Sequence, residues 1–312
     1  MSDKRIVILG GTGFVGRHLV PRLIHAGFSV RVLSRNRAMQ RANTTVPGME
    51  VVNADVYDRD VLCGHLQGAV AAINLVGILN ERGRSGAGFH RAHVELTQTL
   101  IAACKAAGVN RLVQMSALNA GRGKSHYLRT KGLAEKAVTE SGLAFTIFQP
   151  SVIFGPGDGL FFRFAQLIRL TPVLPLARAQ AKFAPVYVGD VAQAFVTALQ
   201  RPECIGQTYE LYGPEVLTLA EIVRYTAEVL GLKCWVVPLP DALARVQAAI
   251  FDFLPGKPFS TDNYLSLQLD SVGGIDGLYR LGIDKTPIGA VIPALLGPRN
   301  KQARYDRYRR GE

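Results

Sequence analysis

The chain has 312 residues, 48% of them hydrophobic, and carries 36 basic against 24 acidic side chains for a net charge of +12. That much apolar material can bury a full α/β core and an additional lobe, which excludes a disordered adaptor, and no apolar run approaches the ~18 residues of a membrane span. The positive balance favours anionic partners such as phosphorylated cofactors and acidic lipid surfaces; nucleic acid is set aside, because no zinc-ligand spacing, helix-turn-helix signature or basic-aromatic ribonucleoprotein motif is present.

Lys4 and Arg5 precede only four apolar residues, too few for a signal-peptide core of ~7 or more, so a cytoplasmic protein is expected. Cys63, Cys104, Cys204 and Cys234 are widely separated, with no C-x-x-C and no neighbouring histidine cluster. They read as reduced, buried thiols that are neither metal ligands nor disulfides, and no metal site is expected.

Arg5 to Gly16 read R-I-V-I-L-G-G-T-G-F-V-G. Ile6 to Leu9 make a strand buried on both faces, and Gly10, Gly13 and Gly16 let the backbone turn tightly and approach a pyrophosphate with no side chain in the way. The amides from Thr12 through Gly13 and Phe14 to Val15 then open a helix, whose N–H groups and dipole form an anion site. The strand-turn-helix order is the context this motif requires. The helix runs from Phe14 to Ala26 with Val15, Leu19, Leu23 and Ala26 on one face, and Gly27 ends it.

Strand two, Ser29 to Leu33, delivers Ser34, Arg35 and Arg37 to the place where a dinucleotide fold meets the adenosine ribose. An acid there would bond the 2′-hydroxyl of NAD(H), whereas arginine accommodates a 2′-phosphate, so NADP(H) is the preferred cofactor unless the two arginines are solvated loop charges. Val51 to Ala54 form strand three. Asp55 and Val56 follow at its carboxyl end, beside the expected adenine or ribose edge, although Asp55 could instead cap the helix that begins near Asp58. Strand four, Ala69 to Leu75, leads into Leu75, Val76 and Gly77, small and apolar where backbone passes close to the cofactor. The polar, glycine-rich stretch Asn80 to Gly88 is expected to be loose.

A helix from Phe89 to Ala107, strand five from Arg111 to Ser116, a helix from Gly123 to Ser141 and strand six from Ala144 to Gln149 complete the regular alternation, which predicts a Rossmann-type, doubly wound parallel sheet of the α/β class. Pro150 and Val152 close strand six beside the cofactor. Beyond them the rhythm changes to a loop at Gly155–Gly159, an aromatic-rich helix from Leu160 to Leu170, a strand from Phe183 to Val188, a helix from Asp190 to Gln200 and a strand from Gln207 to Tyr212. The expected division is a cofactor domain of residues 1–155 plus about 183–212, and a smaller lobe of about 156–182 and 213–312 for substrate or partner. Phe161, Phe162, Phe164, Leu167, Ile168 and Leu170 crowd one helix of that lobe as core or as a lipophilic surface.

Tyr127 and Lys131 lie one helical turn apart on one face, with Ser116 at the end of the preceding strand. A nearby ammonium favours tyrosinate and would lower the phenol pKa toward the working range, Lys131 could also hold the nicotinamide ribose, and Ser116 could hold a carbonyl or hydroxyl. These three are the candidate catalytic residues. Only eleven positions separate Ser116 from Tyr127, so the serine need not share a site with the tyrosine.

With the G-G-T-G-F-V-G turn, Asn74-Leu75-Val76-Gly77, Ser116 and Tyr127-x-x-x-Lys131 in view, the chain resembles the short-chain dehydrogenase/reductase superfamily of the extended or atypical type. Y-L-R-T-K, Q-P-S-V-I-F-G-P-G-D and F-A-P-V-Y-V-G-D-V-A are more narrowly similar to the nucleotide-binding accessory subunit of respiratory complex I and its bacterial relatives. That resemblance implies NADPH held as a structural element, association with complex I or the inner membrane surface, and candidate catalytic residues kept as cofactor contacts. The superfamily equally contains active NADP-dependent reductases and sugar-nucleotide epimerases. Asp241 to Leu254 place Leu243, Val246, Ile250, Phe253 and Leu254 at three- and four-residue steps, and Lys301 to Glu312 hold five basic against two acidic residues, so the pattern reads either as a lobe-core helix with a solvated tail or as peripheral attachment to a membrane or to a membrane-bound complex.

Overall fold

The computed structural model describes residues 4–34, 47–254, 257 and 259–297. Arg35, Arg37 and the basic segment 301–312 lie outside the described residues.

Seven parallel strands form one sheet. In chain order they begin with β1 (Arg5–Leu9), β2 (Ser29–Ser34), β3 (Met49–Asn53), β4 (Ala71–Asn74), β5 (Arg111–Met115) and β6 (Ala144–Pro150), and Gln207–Leu211 completes the set. In space the order is Gln207–Leu211, β6, β5, β4, β1, β2, β3. The period-two alternation of β1 sorts its side chains between two cores: Ile6 and Ile8 join the cluster with Val15, Leu19 and Leu23, while Val7 and Leu9 join the cluster with Leu62, Leu96 and Leu100. Helix α1 (Phe14–His25) and the helix Val188–Gln200 therefore cover one face, and α2 (Arg59–Leu66) and the helix Leu96–Ala107 cover the other. Chain direction across the sheet reverses between β1 and β4, which pair in register from Ile6–Ala71 to Leu9–Asn74. A crevice for a ligand opens beyond the carboxyl ends of strands at such a switch point.

Three expected elements differ in detail. The single helix expected from Phe89 is three pieces, Ala87–His90, a π-helical turn at Arg91–Glu95, and Leu96–Ala107. The expected strand Phe183–Val188 is two short strands, Lys182–Phe183 and Val186–Tyr187, interrupted at Pro185, which has no N–H for a ladder. The stretch Asn80–Gly88 is held rather than loose: the buried Glu81 carboxylate accepts Gly86 N at 2.6 Å and Gly88 N at 2.7 Å.

After the loop at Gly155–Gly159 the aromatic-rich helix Phe161–Leu170 buries Phe161, Ala165 and Ile168 against the helices Leu219–Leu230 and Ile288–Leu296. Its aromatic crowding is thus mostly core, with Leu170 left 82% exposed. The helix Asp241–Phe251 behaves oppositely. It buries only Ala244 and Ala248, against Ala177 and Tyr264, and leaves Leu243, Val246 and Ile250 exposed, with Phe253 78% exposed just beyond its end. No helix of the described residues is long and apolar enough to cross a membrane.

Candidate dinucleotide site

The glycine turn joins the carboxyl end of β1 to α1. Gly10 adopts φ +79°, and a Cβ there would lie 3.1 Å from the backbone of Leu75 and Val76, so the turn and the end of β4 approach with no room for a side chain between them. A Cβ on Gly16 would overlap the Gly11 carbonyl, which is why the first turn of α1 can lie directly on the loop. Gly13 donates its N–H to the Gly10 carbonyl at 3.0 Å and then serves as the helix N-cap, with no side chain capping the turn and no acidic residue in it. The amides of Phe14, Val15 and Gly16 are therefore presented for an anion, as a pyrophosphate needs. Thr12 lies between the two loop glycines at the mouth of this turn.

β4 supplies the opposite wall. Asn74 is buried at its end, donating Nδ2 to Thr97 Oγ1 at 3.2 Å and Gln114 Oε1 at 3.1 Å, while its Oδ1 accepts Val76 N at 3.0 Å. Leu75 donates its N–H to the Leu9 carbonyl and packs into the core. Gly77 then faces the Tyr127 helix: a Cβ on it would sit 3.1 Å from Lys131 Nζ and 3.7 Å from His93 Nε2.

At the expected adenosine side Ser34 is buried where β2 ends, its carbonyl accepting Ala54 N at 3.2 Å. Asp55 is exposed beyond β3 and accepts Tyr57 N at 3.0 Å, forming a local turn. It is not the helix cap. That role belongs to Asp58, whose carboxylate accepts Asp60 N and Val61 N, because the helix starts three residues later than Asp55 could reach. The side chain of Val56 is buried in the core with Leu62 and Leu66, so only its backbone is available to a nucleotide. Pro150 and Val152 have their carbonyls engaged by Leu118 N and Val186 N. The following loop folds back over α1, where His18 Nε2 lies 3.1 Å from the Pro156 carbonyl.

Tyr127 and Lys131 do share a face of the helix His126–Thr139. Lys131 is 4% exposed and donates from Nζ to the Met115 carbonyl at 3.2 Å. Burial pulls its pKa down to about 8, against the opposing pull of Glu135 one turn further on. The expected lowering of the Tyr127 pKa is reversed: the phenol is pushed up to about 12, first by its burial and then by the Asp262 carboxylate. The ammonium one turn away does not offset them, because Lys131, with its pKa of about 8, has given up its proton before the phenol ionises. Ser116 Oγ is 4% exposed and has no partner of ordinary hydrogen-bond geometry. It sits beside Glu135, whose pKa burial raises and whose carboxylate accepts Gln149 Nε2 at 2.8 Å and 3.0 Å. Among the described residues no hydrogen bond joins Ser116 to Tyr127, so the serine belongs to the Lys131–Glu135 end of the helix face.

Sequence pattern alone passes over His93. Its ring meets Tyr127 edge to face at 5.6 Å, its Nε2 accepts Ile78 N at 3.1 Å, and its Nδ1 lies 2.8 Å from Thr130 Oγ1, which itself donates to the His126 carbonyl. These partners select the neutral ring with the proton on Nδ1. Burial and then the Lys131 charge lower its pKa to about 2. A histidine in a mixed polar and apolar turn such as Arg91–Glu95 carries no local signal for such a role. Glu135 did carry one, since it continues the four-residue step from Tyr127 through Lys131.

A doubly wound parallel sheet, an uncapped glycine turn at its switch point and a Tyr-x-x-x-Lys face opposite define a nicotinamide-dinucleotide-binding protein of the short-chain dehydrogenase/reductase type. A family model described as NAD(P)H-binding matches residues 10–161. The chain is 31% identical over 277 residues to the mitochondrial NADH dehydrogenase [ubiquinone] 1 alpha subcomplex subunit 9 of Arabidopsis thaliana, covering 86% of this chain and 68% of that one. It is 30% identical over 254 residues to a ceramide reductase of Caulobacter vibrioides, covering 80% and 79%. In fold it is similar to a dTDP-glucose 4,6-dehydratase from Streptomyces venezuelae, with a TM-score of 0.76 at 20% identity over 97% of this chain and 98% of the other. The chain belongs to the NAD(P)-binding family that contains the alpha subcomplex subunit 9 proteins.

Proposed function

We propose that the protein holds NADP(H), in preference to NAD(H), as a structural or assembly component associated with respiratory complex I on the inner membrane surface. The observation that carries the cofactor part is the glycine turn, whose uncapped amides and close approach to β4 fit a pyrophosphate. Gly10, Thr12, Gly13, Phe14, Val15 and Gly16 would hold the phosphates, Leu75, Val76 and Gly77 would flank the nicotinamide half, and Lys131 would reach its ribose. The cofactor, when bound, supplies a hydride donor or acceptor. No acidic residue occurs between Ser34 and Gly48, where Arg35 and Arg37 stand. NADPH is therefore expected to bind at least about tenfold more tightly than NADH, or about 1.4 kcal/mol, and Arg35→Asp to shrink or reverse the gap. Equal affinities in a nicotinamide-fluorescence titration of the natural protein would end the NADP assignment.

Attachment is supported by the exposed row Leu243, Val246, Ile250 and Phe253, with Arg84 stacked 5.6 Å from the Phe253 ring, and by the basic segment Lys301–Glu312. Each basic group near an anionic bilayer contributes up to ~1 kcal/mol, so the attachment is reversible and salt-sensitive. Partial cosedimentation with anionic vesicles at low salt is expected, reduced by Ile250→Asp with Phe253→Asp or by deleting 301–312, with nucleotide affinity unchanged. A protein that stays wholly in the supernatant at low ionic strength would rule out direct lipid attachment.

A second reading, an active NADP-dependent reductase of a lipophilic ketone or an epimerase acting on a sugar nucleotide, is favoured by one specific observation. Ser116, Tyr127 and Lys131 are all present, and the buried Ser116 hydroxyl lies beside the Glu135 carboxylate, a hydroxyl that a substrate oxygen could engage. What separates the readings is turnover of bound NADPH by a long-chain ketone, and its loss in Tyr127→Phe.

A further inference from the structure

The helix bearing Tyr127 and Lys131 is completed at its start by a residue far away in the chain. Ser125 Oγ accepts Leu128 N at 3.2 Å, and the Asp262 carboxylate accepts His126 N at 2.6 Å and Tyr127 N at 3.1 Å, across a separation of 136 residues in the first case. A helix start leaves its first N–H groups without intrahelical acceptors, and a carboxylate there also meets the positive end of the dipole.

Asp262 is itself held firmly. Ser260 and Asn263 cap the helix Thr261–Ser266 reciprocally, and Asn263 Nδ2 donates to the Leu79 carbonyl at 3.1 Å. Thr261 donates from N and Oγ1 to Asp252 at 3.1 Å and 2.7 Å, and Asp252 pairs with Arg84 at 3.2 Å. One stretch of chain thus grips the loop after β4 and the first turn of the Tyr127 helix together.

We propose that Asp262 is a positioning residue for the Tyr127–Lys131 face, tying the start of that helix to the stretch 252–263 and setting the charge that Tyr127 experiences. The functional consequence rests on Tyr127 and Lys131 belonging to the dinucleotide site. The titratable and charged groups around the phenol are the neutral His93, His126 beside it, Lys131 one turn on, and Asp262, on which Glu81 also bears. Phe89 closes the ring's remaining edge at 6.3 Å. Of these Asp262 supplies the negative charge that bears on the phenol, and it arrives only with the C-terminal part of the chain.

The test uses the full-length protein with Asp262→Asn and Asp262→Ala, and Tyr127→Phe as the reference that isolates the Tyr127 signal. At about pH 11, a phenol with a pKa of about 12 is roughly one tenth ionised by tyrosinate absorbance. Asp262→Asn removes the charge and keeps one carbonyl acceptor where Oδ1 and Oδ2 served His126 N and Tyr127 N separately. It should raise that fraction at least about twofold, leaving slow amide hydrogen exchange at only one of His126 and Tyr127. Asp262→Ala should in addition speed exchange at those two amides at least about fivefold and weaken NADPH binding by a similar factor. An unchanged ionised fraction in Asp262→Asn, or unchanged exchange in Asp262→Ala, overturns the proposal. Ionisation and exchange are both measured without nucleotide, so a natural protein that fails to bind NADPH would refute the cofactor reading and leave the positioning role of Asp262 standing.

Discussion

Gly16→Ala should abolish measurable dinucleotide binding and destabilise the protein, while Gly64→Ala should do neither. The two glycines both lie in helices, α1 and α2. A Cβ on Gly16 would overlap the carbonyl, carbonyl carbon and Cα of Gly11, all backbone atoms that no rotamer change can move aside, whereas a Cβ on Gly64 meets nothing within 4 Å. Relief at Gly16 requires α1 to lift from the loop, at a cost of roughly 1–3 kcal/mol for overpacking. The same shift withdraws the first-turn amides from the proposed pyrophosphate position, so affinity should fall at least about a hundredfold, or about 2.7 kcal/mol. Gly64→Ala gains helix propensity of up to about 1 kcal/mol. Urea unfolding and a fluorescence titration check both variants, and a Gly16→Ala protein binding NADPH within threefold of the natural one would contradict the assignment of the site.

The second large effect is acid sensitivity arising from His93. Its folded pKa of about 2 lies far below the ordinary 6.5, so its stabilising contribution is fully present above about pH 6.5 and is lost as pH falls from there toward 2, because only the unfolded chain takes up the proton. The slope is about 1.4 kcal/mol per pH unit, which makes the loss about 2 kcal/mol at pH 5. Glutamine can accept from Ile78 N and donate to Thr130 while titrating at no accessible pH. His93→Gln should therefore flatten the acid limb of stability by close to that slope between about pH 6 and 4, with a smaller change at pH 8. Identical acid limbs for the two proteins, followed by chemical unfolding at each pH, would show that the imidazole does not stay neutral in the folded state.

Much of the fold was legible because it is written in local pattern. The alternation of Ile6 and Ile8 with Val7 and Leu9 requires a strand covered on both faces, and three glycines in the following turn require close backbone approach, whatever lies elsewhere in the chain. The four-residue step from Tyr127 to Lys131 likewise fixes a shared helix face. The exposed stripe on the helix Asp241–Phe251 could be read as a face but not as core or surface, since periodicity is the same for both. Its alanines, not its large residues, proved to be the buried side.

The electrostatic character of the site was decided only by tertiary structure. Whether the Tyr127 phenol is raised or lowered depends on a carboxylate 135 residues away in sequence at Asp262 and on how far Phe89 and His93 enclose its ring. The neutral state of His93 depends on Ile78 and Thr130, and the order of Asn80–Gly88 on where Glu81 is buried. Sequence by itself determined the sheet, the glycine turn and the Tyr-x-x-x-Lys face, because backbone conformation and apolar periodicity are set by residues within a few positions of one another. Burial and charge proximity act through space, so the pKa values, the partners of Ser116 and Lys131 and the capping of the Tyr127 helix came into being only when distant segments packed together.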